Sequence, residues 1–356
     1  MLNQQIFKIH RITGLIAGVF LLLLSFTGSL LVFSDEIDHA VNKGLYEVKP
    51  GGDRLPLNEL YQKGAAANPG SPYLTFLRLP QAPNESLIMR AEYSAEDKVY
   101  NYLDPYTGEV IYRRGNKNYF TGWLLFLHFT LLSGRNGSII ILCATVLMLI
   151  SIATGLYVYR KHLGKVLTFR DKIEWKYRQR RWRNLHRVVG VWALLFNLLM
   201  VITGITIQLR VVSSRVAKTT AYEIPQEPID YDHLLTVARA EIPGITIMGI
   251  RPPKTAGGPV LFLGNAGEPA LFGEYSSTVS VQPEDGKVVK KIDFKTAGFS
   301  QKLNASVIPL HFGNYGGIPL KILWTLLGLT PGALALSGIL IWYRRKFIVK
   351  KRMAKR

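Results

Sequence analysis

HRITGLIAGVFLLLLSFTG, residues 10–28, and HRVVGVWALLFNLLMVITG, residues 186–204, are the stretches on which the fold turns. Each opens on His-Arg, has a glycine four residues after the histidine, carries no charge beyond the arginine and closes on Thr-Gly. The histidine precedes the threonine by 17 residues in both. The uncharged runs continue as Ile12–Phe33 and Val188–Leu209. As helices these are long enough to cross a hydrocarbon core of ~30 Å, which takes ~20 residues. Ile139–Tyr159 and Ile318–Tyr343 are two further spans, the last with Lys321 as its one charge before the closing Tyr343. The first run reads as an uncleaved span. Its 22 uncharged residues exceed the apolar stretch of ~7–15 in a secretory leader, and Ser25-Phe26-Thr27-Gly28-Ser29 lies inside the run.

The other two spans match each other in the same way. Leu127-His128-Phe129 precedes the second and Leu310-His311-Phe312 the fourth. In both, 26 residues separate the histidine from a Thr-Gly or Ser-Gly pair, Thr154-Gly155 and Ser337-Gly338. The connecting loops repeat too. Ala67-Asn68-Pro69-Gly70 pairs with Glu241-Ile242-Pro243-Gly244, each closing a helical pattern, Leu57–Ala67 and Tyr231–Glu241. Asp104-Pro105 with Gly108 pairs with Gln282-Pro283 with Gly286, each set flanked by alternating β-type residues, as in a hairpin. The expected architecture is therefore an α-helical integral membrane protein. Its four transmembrane helices come from a duplicated helix pair related by an axis along the membrane normal. Two α+β modules, about Leu55–Arg113 and Tyr222–Ile292, lie outside.

Composition agrees with this class. Of 356 residues, 48% are hydrophobic and 19% charged, below the ~25% charged of a soluble domain. Apolar surface is ample, which excludes disorder. The single cysteine, Cys143, excludes a disulfide scaffold, CxxC redox chemistry, thiolate iron–sulfur clusters and Cys-rich zinc sites. The net charge is +20. Residues 1–11, Arg160–Arg187 and Arg344–Arg356 together hold 21 of the Lys/Arg and only two acids, Asp171 and Glu174. Bases at span exits mark the cytoplasmic side, so membrane lipid is the expected partner and nucleic acid is not. Both termini and the middle connector are expected in the cytoplasm.

The expected layout follows. Residues 1–33 form the first span and 34–118 the first outer domain. An interfacial segment and the second span occupy 119–160, and a basic cytoplasmic connector 161–185. The third span covers 186–210 and the second outer domain 211–300. An interfacial segment and the fourth span occupy 301–343, and a basic tail 344–356. Tyr119–Leu132 is the first interfacial segment, with Tyr119, Phe120 and Trp123 as an aromatic belt. Gly134-Arg135-Asn136-Gly137 is its expected turn, and Pro331-Gly332 an expected kink.

Four of the seven histidines occupy repeat-equivalent places: His10 with His186, and His128 with His311. His39, His162 and His233 have no equivalent. Residues related by a two-fold axis can face each other across it. One histidine from each half can then take both axial positions of one planar ligand, with His10/His186 near the cytoplasmic face and His128/His311 near the outer one. Two opposed imidazoles suit haem b, and two haems are expected. Zinc prefers three or four ligands; only Asp35, Glu36 and Asp38 could add to the outer pair. Gly28 and Gly204 each lie 18 residues after a histidine, or five helical turns and ~27 Å. They are expected to make room for the outer cofactor, and Gly14 and Gly18 for the inner one, although small-residue helix packing also accounts for the latter. The threonines of the Thr-Gly pairs are expected to bond their own helix backbone. Arg11 and Arg187 can pair with haem propionates, or act simply as cytoplasmic anchors.

With HRxxG and TG in the first span, LHxxLLxGxxG before the second and LHFGxxGGxP before the fourth, the chain resembles the PepSY-associated transmembrane family. That family includes iron-regulated inner-membrane proteins and ferric-siderophore reductases, and the two outer modules look like PepSY domains. The resemblance spans nearly the whole chain. It implies a bacterial inner-membrane protein with periplasmic modules. By likeness to the siderophore reductases it also implies b-type haem on His10, His128, His186 and His311. The expected activity is transmembrane electron transfer that reduces a periplasmic ferric siderophore. No GxGxxG nucleotide loop follows a strand, so the donor must be external: a flavoprotein, a ferredoxin or a membrane quinol. The alternatives are a membrane-anchored PepSY protein that binds peptide or protease, and a haem or metal transporter.

Overall fold

A computed structural model of the chain describes residues 2–94, 96–170, 181–216 and 228–348. Tyr222, the expected start of the second outer module, lies outside the described residues, as do 171–180 of the connector and 349–356 of the tail. In chain order the first helices are α1 (Leu2–Leu31), α2 (Ser34–Val41), α3 (Lys43–Tyr46) and α4 (Leu57–Ala66). Strands β1 (Tyr73–Arg78), β2 (Leu87–Glu92), β3 (Lys98–Leu103) and β4 (Val110–Gly115) follow. Next come α5 (Phe120–Thr130), α6 (Gly134–Tyr159), α7 (Leu163–Leu167), α8 (Arg181–Trp192), α9 (Leu194–Val216) and α10 (Tyr231–Glu241). Then come β5 (Thr246–Arg251), β6 (Val260–Asn265), β7 (Ser277–Val281) and β8 (Val288–Ile292). The chain closes with α11 (Phe299–Phe312), α12 (Gly317–Gly328) and α13 (Thr330–Tyr343). These elements fall into a helical unit (Met1–Phe33, Leu124–Ser213, Leu310–Arg356) and an α+β unit (Ser34–Trp123, Ser214–Pro309).

In the helical unit, four helical stretches are long and apolar enough to cross a membrane: Leu2–Leu31, Gly134–Tyr159, Leu194–Ser214 and Gly317–Phe347. The first begins ten residues before the expected Ile12, because nothing in Leu2–Arg11 breaks a helix. A break lies just ahead of the third and another within the fourth. Helix α8 ends at Trp192 and α9 begins at Leu194, while α12 and α13 part at Leu329. This second break precedes the expected Pro331-Gly332 kink. Pro331 sits instead in the first turn of α13, where its missing N–H has no helical partner to lose.

Helix α1 packs along both α6 and α13. Small residues allow the close approach: Ser25 Oγ donates to the Gly328 carbonyl at 2.5 Å and Ser29 Oγ to the Thr325 carbonyl at 3.1 Å. A Cβ on Gly18 would already touch Ala335 at 3.4 Å. Gly18 therefore serves helix packing. Gly134–Gly137 opens α6, and Gly134, with a left-handed φ of 56°, belongs to the reversal that precedes the helix. In the same reversal Leu131 and Leu132 take left-handed φ values of 49° and 55°.

The α+β unit carries one eight-stranded antiparallel sheet, ordered β4-β3-β2-β1-β5-β6-β7-β8. Each module is a helix followed by a four-stranded meander. The two meanders join edge to edge through β1 and β5, which corrects the expectation of two separate sheets. At the join Phe76 pairs with Ile250. Both lie six residues after the left-handed glycine that follows their helix, Gly70 (φ 77°) and Gly244 (φ 78°). Joining two edges removes the unpaired backbone each would otherwise expose. One core forms beneath, with Phe76, Leu87, Met89, Leu103, Val260, Phe262 and Val279 from the sheet and Leu60, Tyr231, Leu234 and Ala238 from the helices.

The two helices also cap each other. The Asp232 carboxylate accepts from the Leu57 and Asn58 N–H groups at 2.8 and 3.0 Å, and Asn58 Oδ1 accepts from the Tyr231 N–H at 2.7 Å. Asp232→Ala strips both bonds from the α4 terminus and should cost about 1–2 kcal/mol. Denaturant unfolding of the purified protein checks this, with a loss below ~0.5 kcal/mol counting against the reciprocal cap.

A second polar cluster ties α2 and α3 to the sheet. Arg114 on β4 donates to both carboxylate oxygens of Asp38, at 2.8 and 2.5 Å. Tyr46 donates to the same carboxylate and Asn42 reaches it at 2.7 Å. Tyr102 bonds the guanidinium, Tyr119 stacks 3.8 Å from its centre, and His39 stacks on Tyr46 with ring centres 3.7 Å apart. Tyr119 thus packs against a buried arginine, which corrects its place in the expected aromatic belt; Phe120 and Trp123 are the exposed members, at 57% and 43%.

Candidate functional site

The four repeat-placed histidines all sit in the helical unit, and each is held at Nδ1 by a neighbouring helix. His10 on α1 meets α6: its Nδ1 is 2.9 Å from the Ser151 carbonyl, 3.3 Å from Ser151 Oγ and 3.4 Å from Thr154 Oγ1. His186 on α8 meets α13, with Ser337 Oγ at 2.9 Å. His128 on α5 meets α1, with Thr27 Oγ1 at 2.8 Å. His311 on α11 meets α9, with Thr203 Oγ1 at 2.9 Å.

The hydroxyl protons fix the tautomers. Thr27, Thr203 and Ser337 donate to the backbone carbonyls of Leu23, Leu199 and Leu334, at 2.8, 2.7 and 3.0 Å. Each hydroxyl has one proton, so toward the histidine it can only accept. A carbonyl, as at Ser151, can only accept as well. With the hydroxyl protons on those carbonyls, all four rings carry their hydrogen on Nδ1 and leave the Nε2 lone pair bare. An imidazole anchored at one nitrogen with the other open is the arrangement of a metal-ligating histidine.

Each ring also lies against the glycine of a Thr-Gly or Ser-Gly pair. A Cβ on Gly28 would fall 2.8 Å from His128 Cε1, and one on Gly155 3.0 Å from His10 Cε1. On Gly204 and Gly338 it would fall 3.5 Å from His311 and His186. Beside Gly28 and Gly204, where spacing led to the expectation of room for a macrocycle, the nearest side chain is an imidazole. The threonines do bond their own backbone as expected, and they hold the histidine as well. Thr27, Ser151, Thr154, Thr203 and Ser337 are positioning residues that reading the histidines alone misses. The signal was present at the matched spacings: Thr27-Gly28 pairs with Thr203-Gly204, and Thr154-Gly155 with Ser337-Gly338.

His10 and His186 face the same cavity, of about 720 Å³. Their ring centres are 6.2 Å apart and their planes cross at 76°. An imidazole nitrogen binds a transition metal at roughly 2.0–2.1 Å and lies roughly 1.2 Å from its ring centre. Two imidazoles opposed across one metal therefore have centres roughly 6.4 Å apart, close to what is found. Arg11 and Arg187 line the same cavity with Arg183, Arg345 and Lys346, and among the described residues no acidic side chain lines it. A dianionic planar ligand gripped by both histidines fits this set: ring centres at the right separation, apolar walls and cations at one end. Gly14 belongs to the lining, although a Cβ there would first meet Ser151 Oγ, at 3.3 Å.

His128 and His311 form a second level. Among the described residues no ring contact joins them. Along α1 the glycine that holds His128 comes 18 residues after His10, so the levels are separated by about 27 Å of helix. Of the acids that might complete a zinc site there, Asp38 is committed to Arg114. Among the described residues, no three His, Cys, Asp or Glu side chains are grouped to hold a metal ion.

A family model described as the PepSY-associated TM region matches residues 7–345. The chain belongs to the PepSY-associated TM family. Among curated proteins, none matches it. In this PepSY-associated TM protein the matched region contains all four histidines, both arginines that follow a histidine and all four Thr/Ser-Gly pairs.

Proposed function

We infer that this PepSY-associated protein holds two b-type haems between duplicated helix pairs and carries electrons across the bacterial inner membrane to a ferric siderophore. The observation that carries the reading is the His10–His186 pair, with centres 6.2 Å apart over a cavity and bare Nε2 atoms. Haem supplies reversible one-electron chemistry when bound. The protein's part is to grip, orient and shield. His10 and His186 are the ligands of the inner site and His128 and His311 those of the outer one. Arg11 and Arg187 take the propionates. The Thr/Ser-Gly pairs fix ring orientation and, by accepting the Nδ1 proton, raise ligand basicity. Bases at the span exits support a cytoplasmic side for the His10 level, and ~27 Å of helix reaches the far face of a ~30 Å core. The PepSY modules then lie in the periplasm.

The substrate step needs no acid or base from the chain. Fe(III) in a hard-oxygen chelate accepts one electron. Fe(II) is a weaker Lewis acid, and the chelate lets it go. Peptide capture by the PepSY modules leaves four tautomer-locked histidines without a role. A transport relay calls for histidines that swing, whereas these are fixed at Nδ1 by packed helices. The test is anaerobic. Purified protein reduced with dithionite and freed of excess reductant should be reoxidised by a ferric hydroxamate, with one Fe(II) trapped by ferrozine per electron lost. Fully reduced protein that yields no Fe(II) would overturn the siderophore assignment.

A further inference from the structure

The cavity of the His10 level is deeper than that level needs. Leu21, Met148, Leu194, Asn197 and Pro331 line its far end. Asn197 is eleven residues beyond His186, as Leu21 is beyond His10, so both lie about 16 Å further along their helices. A macrocycle held by the two histidines reaches about one and a half turns, roughly 8 Å, in that direction. The remaining depth is in mid-membrane and apolar, with one exception.

That exception is Asn197. The repeat places Leu21 at its equivalent, so the amide is confined to one half. Its side chain is anchored at one end only: the amide is 3.0 Å from Thr330 Oγ1, and the same hydroxyl is 2.6 Å from the Leu327 carbonyl. One hydroxyl proton cannot serve two acceptors. With the proton on the Leu327 carbonyl, the amide gives its NH2 to Thr330 and turns its oxygen to the cavity. With the amide reversed, the NH2 faces the cavity. Asn197 can thus offer an acceptor to a ligand O–H or a donor to a ligand C=O.

The cavity is also bordered by the seam between α6 and the α8–α9 stretch. Helix α1 packs on α6 and α13, and α13 packs on α8. Among the described residues, α6 has at most isolated contacts with α8 and α9. Ile152, Leu156 and Tyr159 of α6 and Val191 and Leu194 across from them border that seam.

We propose that the deep end of this cavity, with Asn197 as its polar anchor, binds the head group of a membrane hydroquinone and of the quinone it becomes. This deepens the proposed function, on which its role as electron-donor site rests, by committing the donor to one class. Oxidation of one hydroquinone to quinone releases two electrons and two protons. The electrons match the reduction of two ferric chelates to Fe(II), and the protons leave to water at the basic mouth. The isoprenoid tail stays in the α6–α8 seam.

The test is equilibrium binding of a decyl-substituted benzoquinone to the full chain in phosphatidylcholine nanodiscs, with an absorbance spectrum of the same samples. Wild type should bind one quinone. Asn197→Leu, which installs the residue of the other half, should weaken binding about tenfold, the effect of one lost hydrogen bond, with the absorbance unchanged. Asn197→Gln should keep most of the affinity. Decylbenzene, a tail without carbonyls, should compete poorly. No quinone binding to wild type, equal binding to Asn197→Leu, or equal competition by decylbenzene overturns the site. Haem absorbance without quinone binding would sink this proposal alone; quinone binding by a colourless protein would sink the haem reading and leave the site standing.

Discussion

Asp38→Ala should destabilise the α+β unit by about 3–5 kcal/mol, because it leaves the Arg114 guanidinium charged and buried without its carboxylate. The two side chains are 10% and 6% exposed, so water cannot replace the lost partner. Exchanging both for apolar residues, Asp38→Leu with Arg114→Met, should recover most of that loss, since the pair's own desolvation is costly. Urea unfolding followed by near-ultraviolet circular dichroism measures both variants. A single-variant loss under ~1 kcal/mol would place the cluster in the class of surface ion pairs. Burial alone would raise the Asp38 pKa, but hydrogen bonds from Arg114, Tyr46 and Asn42 and the Arg114 charge outweigh it and hold the carboxyl below its ordinary value. A depressed carboxyl pKa stabilises the fold above the unfolded value of ~3.9. That contribution fades as pH falls through the lower, folded value. Acid unfolding should therefore steepen below pH ~4, and the Asp38→Leu/Arg114→Met protein should lack this component.

The four glycines beside the histidines should answer differently to one added methyl group. Gly28→Ala drives a Cβ to 2.8 Å from His128 Cε1, while Thr27 one residue away holds the same ring by its Nδ1. The ring cannot retreat without losing that bond, so this variant should lose the outer haem. Gly155→Ala, at 3.0 Å from His10, should weaken the inner site without emptying it. Gly204→Ala and Gly338→Ala meet their histidines at 3.5 Å, an ordinary contact, and should keep both haems. Pyridine haemochrome assays on the four purified variants give the stoichiometries. Equal retention in all four would show that the Thr/Ser-Gly pairs do not position the ligands.

Much of this architecture was legible in the chain. Charge-free runs of span length, bases at their ends and histidines at matched spacing are properties of sequence alone. So are the two Pro-Gly helix stops, which became the left-handed Gly70 and Gly244. The positioning layer was harder to read. A threonine inside an apolar helix normally bonds the carbonyl four residues back, and Thr27 and Thr203 do so; their second partner comes from a helix distant in sequence. The β1–β5 join was hidden for a similar reason, since alternation shows which face a strand buries but not which edge it offers. The left-handed Leu131 and Leu132 carried no local signal. The glycines of Gly134–Gly137 drew attention to the turn, yet Gly137 is needed for packing: a Cβ there would fall 1.6 Å from the Thr130 carbonyl. Asn197 stood out in an apolar run only once Leu21 was recognised as its counterpart.

The central claim is that His10 with His186, and His128 with His311, each grip one haem. Haem quantitation combined with electron paramagnetic resonance tests it on protein expressed with haem in excess. Two b-type haems per chain are predicted, both low-spin, with one lost in His186→Ala. The near-perpendicular planes of the His10 and His186 rings, 76° apart, predict a highly anisotropic low-spin signal for the haem that disappears in that variant. A colourless wild-type protein, or a His186→Ala protein with its full haem content and unchanged spectrum, would contradict the account.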